Sequence, residues 1–395
     1  MELSSKLARF GAAAGAAIAA TTLSAHAYAL ACNTLPAPVY GIGGSAPSQL
    51  FAKLGKALSA ATPASTIVYQ SPGACLGPNA ILSSVPMTGT ATYWDATGAA
   101  KSCDLPITGQ AADFGAGSTY ATFCPGISSV PSTFGDILGP IEAFDFIVPQ
   151  ASSQTTISAA AAYFVYGFGT SGQAAPWTDE TEIFKRDQNS AAGIIISLGI
   201  GVPIAKFKGV DAMSNGNTVS LVSAAPNPEN AIGFASGETA EASLASIKIL
   251  AFQSYNQTCG YWPGSTSASF DKQNVRNGHY PLWSPLHFFA TLDGSGNIAD
   301  PAAAKLIGYF TGKTTPPAGV DVDSIVSKVG EVLDCAMEVK RTSDFGDLVP
   351  YAPAEPCGCY FESVATGSTS CSTCTTSTDC SVNAPNCRKG FCEVN

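Results

Sequence analysis

The uneven distribution of cysteines constrains the fold more than any other feature of this sequence. Seven of the 13 cysteines lie between Cys357 and Cys392, in a segment with few large apolar side chains. Such a segment buries too little apolar surface to offset the entropy lost on ordering the chain. We therefore predict that disulfides hold residues 356–395 together as a small C-terminal module. Seven is odd, so one module cysteine pairs outside or stays free, and Cys335 with Cys357 is the nearest candidate pair.

The N-terminus predicts export. Lys6 and Arg9 precede an uncharged, alanine-rich apolar run at 10–23, and Ala25-His26-Ala27 supplies small residues suited to signal peptidase. This pattern is typical of a secretory signal peptide, and we assign residues 1–31 to it. The apolar run is too short for a comfortable membrane span, so no transmembrane span is expected in the mature form. An exported chain also favours disulfides over free thiols.

A second processing route remains open at the same segment. Ala29-Leu30-Ala31-Cys32 resembles a bacterial lipobox, in which the cysteine becomes lipidated and forms the new N-terminus. If Cys32 is lipidated, 12 of the 13 cysteines remain and all can pair. Cleavage after Ala27 would instead leave one odd cysteine. The expected location is therefore the periplasm or the cell surface, either as a soluble protein or as a lipoprotein anchored through Cys32.

Charge and length limit the classes of partner. Only 12% of the residues are charged, the net charge is −10 and the isoelectric point is about 4.7. Nucleic acid and anionic membrane surfaces are therefore poor partners. A small anion is still compatible with this charge, provided that local donors hold it against the overall field. The chain before the cysteine-rich tail is long enough for two domains with hydrophobic cores.

Strand-like and helix-like segments alternate along the chain. Leu50, Phe51, Leu54 and Leu58 recur at helical spacing, and β-branched or apolar runs surround them. Strands are predicted at 38–41, 65–70, 111–115 and 142–149. This alternation predicts an α/β fold with a largely parallel sheet and a ligand at the carboxyl ends of the strands. The Thr- and Gly-rich segment 83–106 is interpreted as a surface insertion tied down by Cys103.

Five short stretches, in order between about residues 39 and 312, resemble the periplasmic phosphate-binding proteins of ABC transporters. They are Gly-Ile-Gly-Gly-Ser-Ala-Pro at 41–47, Tyr-Gln-Ser-Pro-Gly-Ala-Cys-Leu-Gly at 69–77, Ala-Asp-Phe-Gly-Ala-Gly-Ser at 112–118, Arg-Asp-Gln-Asn-Ser-Ala-Ala at 186–192 and Asn-Gly-His-Tyr-Pro-Leu at 277–282. The resemblance implies a type II periplasmic-binding-protein fold with two lobes joined by a hinge. Lobe 1 would comprise 32–146 and 280–345, and lobe 2 would comprise 147–279.

The same resemblance implies a site and a partner. The matched ligand-binding positions are Ser45, Ser118, Arg186, Ser190, Gly44 and Ala74, and the implied ligand is a small inorganic oxyanion bound between the lobes. The implied partner is an ABC permease in the inner membrane.

The chemistry of these residues agrees with an anion site. Ser45 and Ser190 stand where helices are expected to begin, and Gly44 lets backbone amides approach a ligand closely. Arg186 could donate two parallel hydrogen bonds to an oxyanion. Simpler interpretations are that the two serines are N-caps and that Arg186 is a surface ion-pair partner.

Several positions depart from the family pattern. Ala74 replaces a serine, Ala191 and Ala192 replace two of three residues in Ser-Gly-Thr, and Ser118 replaces the aspartate that recognises a proton on phosphate. From the sequence, selection of a protonated oxyanion over a fully ionised one is therefore expected to be lost. The alternative function is that of a degenerate solute-binding fold acting as a cell-surface structural or interaction protein.

Other chemistry has little support in the sequence. His279 and His287 have no cysteine or carboxylate at ligand spacing, and no Gly-x-Ser-x-Gly elbow accompanies them. Cys371 and Cys374 form a Cys-x-x-Cys pair, but a second such pair is missing, so disulfides are favoured over zinc. Packing is expected for Trp177. No enzyme activity, metal site or cofactor is predicted.

Overall fold

The computed structural model describes residues 30–343 and 345–394. The predicted signal peptide, up to residue 29, lies outside this part of the chain. The strands are β1 (Pro38–Gly43), β2 (Thr66–Gln70), β3 (Thr90–Trp94), β4 (Ala100–Asp104), β5 (Phe114–Gly117), β6 (Phe134–Pro149), β7 (Thr156–Ser158), β8 (Phe184–Lys185), β9 (Val210–Asp211), β10 (Gly233–Ser236), β11 (Ile247–Ile249), β12 (Ala251–Gln253), β13 (Trp283–Thr291), β14 (Val339–Lys340), β15 (Val349–Pro350), β16 (Asn386–Arg388) and β17 (Phe391–Glu393). The helices are α1 (Ser48–Ala60), α2 (Leu76–Ser83), α3 (Ala159–Phe168), α4 (Ala191–Ile200), α5 (Asn215–Ser223), α6 (Gly237–Glu241), α7 (Gln273–Arg276), α8 (Pro301–Phe310), α9 (Val322–Val329) and α10 (Gly358–Thr366).

The predicted α/β fold is confirmed, but the prediction of a largely parallel sheet is wrong. The main sheet has nine strands in the order β10-β6-β13-β5-β1-β2-β3-β4, with β11 also paired to β6. Within this sheet β1 is parallel to β2 and to β5, whereas the other pairings are antiparallel. The reason is that β6 and β13 pair with each other as long antiparallel strands, and that β3 and β4 form a hairpin at the sheet edge.

The strand-to-helix unit β1–α1 follows from its apolar pattern. The four predicted helix residues Leu50, Phe51, Leu54 and Leu58 are all buried in α1. Phe51 meets Phe114 of β5 edge to face, with ring centroids 5.8 Å apart. The strand predicted at 111–115 begins later, at Phe114. The packing of α1 on the sheet therefore helps to position the loops that follow β1 and β5.

Strand β6 connects the two lobes. Its first half pairs with β13, and its second half, from Phe144, pairs with β10 and β11. One continuous strand of 16 residues therefore belongs to the sheet of both lobes. The exact lobe boundaries at 146/147 and 279/280 stay predictions.

The segment 83–106 is part of the sheet, not a loose insertion. Its strands β3 and β4 extend the sheet beyond β2. Cys103 in β4 forms a disulfide with Cys32. A sulfur in a disulfide cannot also carry a thioether-linked lipid, so this bond argues against lipidation of Cys32. The unpaired cysteine is Cys259, which is exposed, and the cysteine count that singled out Cys32 was therefore misleading.

The cysteine-rich tail is held by disulfides as predicted. The bonds are Cys335–Cys357, Cys359–Cys371, Cys374–Cys387 and Cys380–Cys392. The tail is not a separate unit, however, because Cys357 and Phe361 are fully buried in the main hydrophobic core. The Glu393 carboxylate also accepts hydrogen bonds from the backbone N–H groups of Cys359 and Tyr360, at 2.9 and 3.1 Å, at the start of α10.

Among the described residues, no helix combines the length and the apolar character needed to cross a membrane.

Candidate ligand-binding cleft

The structure brings the predicted site residues together in one cavity. Gly44, Ser45, Ala74 and Ser118 line it from predicted lobe 1, and Arg186 and Ser190 line it from predicted lobe 2. The empty space between these residues is about 310 Å³, part of it open to solvent. Arg186 is the only charged residue among the described residues that line it.

The turn after β1 forms one wall of the cavity. Gly43 packs so closely on β5 that a Cβ there would lie 1.7 Å from the Ala116 carbonyl oxygen. The Tyr69 hydroxyl donates to the Gly44 carbonyl oxygen at 2.8 Å, and this bond holds Gly44, the residue after Gly43, in place. Helix α1 begins only at Ser48, with Pro47 at its N-cap, so the N-cap interpretation of Ser45 is wrong. Neither the Ser45 hydroxyl nor the backbone N–H groups of Ser45 and Ala46 have a hydrogen-bond partner in the described chain.

Ala74 lies in the turn before α2 and contributes packing. A Cβ on Gly117 would lie 3.0 Å from the Ala74 methyl group, and one on Gly44 would lie 3.3 Å from it. The next residue, Cys75, is bonded to Cys124, which anchors this turn. The backbone N–H of Cys75 also donates to the Asn189 carbonyl oxygen at 3.1 Å. The turn therefore touches the opposite wall beside Ser190.

Helix α4 begins on the opposite wall. Ser190 is its N-cap, as the simpler interpretation of this residue had it, and its hydroxyl oxygen accepts from the Gly193 N–H at 3.3 Å. Accepting that bond leaves the Ser190 hydroxyl hydrogen available for a ligand. The N–H groups of Ala191 and Ala192, in the first turn of α4, have no partner among the described residues. The alanines that replace the family's Gly-Thr thus still offer backbone donors at a helix N-terminus.

Arg186 follows β8 and is 5% exposed, so its interpretation as a surface ion-pair partner is wrong. Its terminal nitrogens donate to Asn215 Oδ1 at 2.9 Å and to the Met213 carbonyl oxygen at 3.0 Å. Its Nε is buried without a partner, and no ion pair to Arg186 is present in the described part of the chain. Burial lowers the pKa of the guanidinium from its ordinary value, although Asp187 and Asp211 act in the opposite direction.

Ser118 is fully buried directly after β5, and its hydroxyl donates to the carboxylate of Glu142 on β6. Glu142 is 1% exposed, and its second oxygen, Oε1, has no hydrogen-bond partner in the described structure. Burial raises the pKa of Glu142 to about 7, while the hydrogen bond from Ser118 opposes that shift. Sequence reasoning missed this carboxylate as a site residue, and it also missed Asn215. The available signal was an acidic residue within the otherwise apolar strand at 142–149.

The remaining candidates lie in the core or at the surface. Trp177 is buried in the hydrophobic core, as expected. His287 is also buried and contacts Asp136 through Nδ1 at 2.6 Å. In the described part of the chain, the one group of ligand-type side chains close enough to share a metal ion is Cys374, Cys380 and Cys392. All three are in disulfides.

Comparison with known proteins supports the fold. The sequence matches no protein-family model, and no curated protein sequence is detectably similar to it. Among solved structures, one from Clostridium perfringens, assigned as a phosphate ABC transporter substrate-binding protein and solved with bound phosphate, superimposes with a TM-score of 0.51. It shares 13% identity, and the match covers 75% of this chain and 99% of the other.

The chain has the fold of a phosphate-binding protein. A second similar structure, an ABC-type phosphate transport receptor from Vibrio cholerae, matches 74% of this chain and 99% of its own at 14% identity, with a TM-score of 0.47. At 13% identity the likeness to the Clostridium perfringens structure concerns the fold alone: two α/β lobes, here followed by a disulfide-rich tail. The cavity described above lies between those lobes.

Proposed function

We propose that this protein is an exported, non-enzymatic solute-binding protein whose cleft holds a small oxyanion, phosphate or a phosphate-like ion. The observation that carries the proposal is Arg186, a buried guanidinium that forms no ion pair with any described residue and lies in a cavity of hydrogen-bond donors. An unpaired buried charge costs several kcal/mol. A bound anion would supply the missing counter-charge.

The donors around Arg186 suit a tetrahedral oxyanion. The backbone N–H groups of Ser45, Ala46, Ala191 and Ala192 and the hydroxyl of Ser190 surround the same space. Hydrogen bonds to a charged group contribute roughly 1.5–3 kcal/mol each, so a few of them offset the loss of water around the ion. The cavity is small and has a single cation, which favours an inorganic ion over a larger organic anion.

A degenerate fold with only a structural role fits these residues less well. That alternative rested on Ala74 and Ala192, which replace hydroxyl-bearing residues of the family, and on Ala191, which replaces a glycine. The two α4 alanines keep free backbone donors, and Ala74 fills the space beside Gly44 and Gly117. Without a ligand, the buried Arg186 would have only Asp187 and Asp211 as counter-charges, and neither forms an ion pair with it in the described part of the chain.

We further propose that the bound protein docks on an ABC permease. The contact between Cys75 and Asn189 across the cleft resembles a closed state, and β6 would form part of the hinge on which the lobes close. Export is supported by the disulfides, which form outside the reducing cytoplasm.

A thermal-shift panel tests the proposed ligand class. The protein is first unfolded and refolded without phosphate, then heated with phosphate, arsenate, sulfate or a neutral sugar. A ligand at a hundred times its Kd should stabilise the fold by about 2.7 kcal/mol. We expect a clear rise in Tm with at least one oxyanion, none with the sugar, and a much smaller rise in Arg186→Ala at the same ligand concentration. No shift across the panel would refute the proposal.

A further inference from the structure

Ser118 differs from the donors that line the cleft. The backbone amides, Arg186 and Ser190 all have N–H or O–H groups available to donate. Ser118 has a single hydroxyl hydrogen, and that hydrogen is donated to Glu142 beneath the cleft. The hydroxyl oxygen still has lone pairs, so toward the cavity Ser118 can only accept.

An acceptor at this position discriminates between ligands by their protons. Hydrogen phosphate and hydrogen arsenate carry one O–H group that can donate to Ser118. Sulfate has the same shape and charge but no hydrogen, so its oxygen would face the lone pairs of the Ser118 oxygen. A buried acceptor set against another acceptor is unfavourable because neither finds a hydrogen.

The pair can also exist in the opposite state. If Glu142 is protonated, it donates to the Ser118 oxygen, and the hydroxyl hydrogen of Ser118 turns toward the cavity. The groups that face Glu142 are Tyr69 on β2, Glu238 on α6 and Glu331 after α9. Glu238 and Glu331 are buried acids whose pKa values burial raises well above their usual range. Burial raises the pKa of Glu142 to about 7, so at pH 8.5 its carboxylate is ionised and the acceptor form of Ser118 dominates.

We propose that Ser118 and Glu142 act together as a proton-reading pair, which selects a tetrahedral oxyanion bearing one hydrogen over sulfate. The pair would do the work of the single aspartate that Ser118 replaces. The expectation from the sequence, that selection for a protonated oxyanion is lost, would then be wrong, because the carboxylate has moved 24 positions along the chain and acts through a hydroxyl. This inference rests on the proposed function, since it assigns the ligand of the same cleft.

The test compares phosphate with sulfate at pH 8.5, where both ions are dianions and differ by one hydrogen. Kd is measured by calorimetry for the wild-type protein, Glu142→Gln and Glu331→Gln. The wild type should prefer phosphate by about 30-fold, because sulfate binds with uptake of a proton by a carboxyl whose pKa is about 7, at a cost of about tenfold per pH unit. Glu142→Gln puts an amide donor beneath Ser118, so the hydroxyl hydrogen turns into the cavity and the preference should disappear or reverse. Glu331→Gln removes a neighbouring buried carboxyl that does not bond Ser118, and it should keep the wild-type preference.

The outcomes separate the two proposals. If phosphate and sulfate bind the wild type equally well, the oxyanion site stands and the proton-reading pair is refuted. An unchanged preference in folded Glu142→Gln refutes it too. Should Glu142→Gln fail to fold, Ser118→Ala serves instead, since losing the hydroxyl should likewise reduce the preference for phosphate by at least tenfold. If the wild type binds neither ion, both this inference and the proposed function fail.

Discussion

The two walls of the cleft are built on different principles. The wall around Arg186 and Ser190 offers donors that come from one short stretch of chain, a helix start and the loop before it. The opposite wall also has donors, the backbone N–H groups of Ser45 and Ala46, but it adds an acceptor at Ser118, and this acceptor depends on Glu142, a residue on another strand. Donors bind any oxyanion, whereas an acceptor favours an oxyanion that carries a hydrogen over one that does not. The comparison teaches that affinity and selectivity are assigned to separate parts of the same site.

The largest effect should come from the donor wall. Arg186→Ala removes the only cation among the described residues that line the cleft, and charged hydrogen bonds worth roughly 1.5–3 kcal/mol correspond to about a 10- to 150-fold loss of affinity. Phosphate and sulfate should weaken together, because the guanidinium does not read protons. Calorimetry with both ions measures the change. Arg186→Lys keeps the charge without the planar guanidinium, so its affinity should lie between those of the wild type and Arg186→Ala. Unchanged affinity in Arg186→Ala would show that the oxyanion does not bind at Arg186.

The acceptor wall should make sulfate binding depend on pH. Burial raises the pKa of Glu142 to about 7, so below that pH the carboxyl is protonated and Ser118 can donate to sulfate. Above it the carboxyl is ionised, and sulfate can bind only with uptake of a proton. Its affinity should then fall about tenfold per pH unit. Phosphate affinity should stay level between pH 8 and 9. Parallel curves for the two ions would show that the walls do not differ in this way.

A smaller effect is expected at Ser190, which belongs to the donor wall but also caps α4. Ser190→Ala should cost about 1 kcal/mol of stability through the lost cap and weaken both ions about fivefold through the lost hydroxyl. Ser158 provides the matched control, because it caps α3 by accepting from the Ala161 N–H and is not among the cavity-lining residues. Ser158→Ala should lose similar stability, measured by urea unfolding, with no change in affinity. Equal affinity changes in the two variants would contradict a ligand contact at Ser190.

The tail should have the smallest effect on binding. Among the tail residues that the structure describes, up to Val394, none lines the cleft. Cys359–Cys371 and Cys374–Cys387 are partly exposed, whereas Cys357 of the bond to Cys335 is fully buried. Mild reduction should therefore open the tail bonds first and make the segment after α10 protease-sensitive, while phosphate affinity stays within about twofold. Peptide mapping and calorimetry on the same sample measure both. A large loss of affinity would show that the tail supports the cleft.

The difference between the walls also explains how much of the site could be predicted from the sequence. Arg186 and Ser190 lie in one local motif, and their burial and capping follow from the helix that starts there. The sequence could not predict that Glu142 contacts Ser118, because this contact depends on how β5, β13 and β6 are ordered in the sheet. The same long-range pairing made the sheet mostly antiparallel. Disulfide pairing behaved likewise: the near pair Cys335–Cys357 was predicted, whereas Cys32–Cys103 joins residues 71 positions apart.

Direct binding of phosphate tests the central claim that an oxyanion occupies this cleft. Equilibrium dialysis with radiolabelled phosphate, on protein refolded without phosphate, gives both affinity and stoichiometry. We predict one saturable site per chain, displaced by unlabelled phosphate and weakened at least tenfold in Arg186→Ala. Absence of saturable binding in the folded wild-type protein, or full binding retained by Arg186→Ala, would contradict the claim.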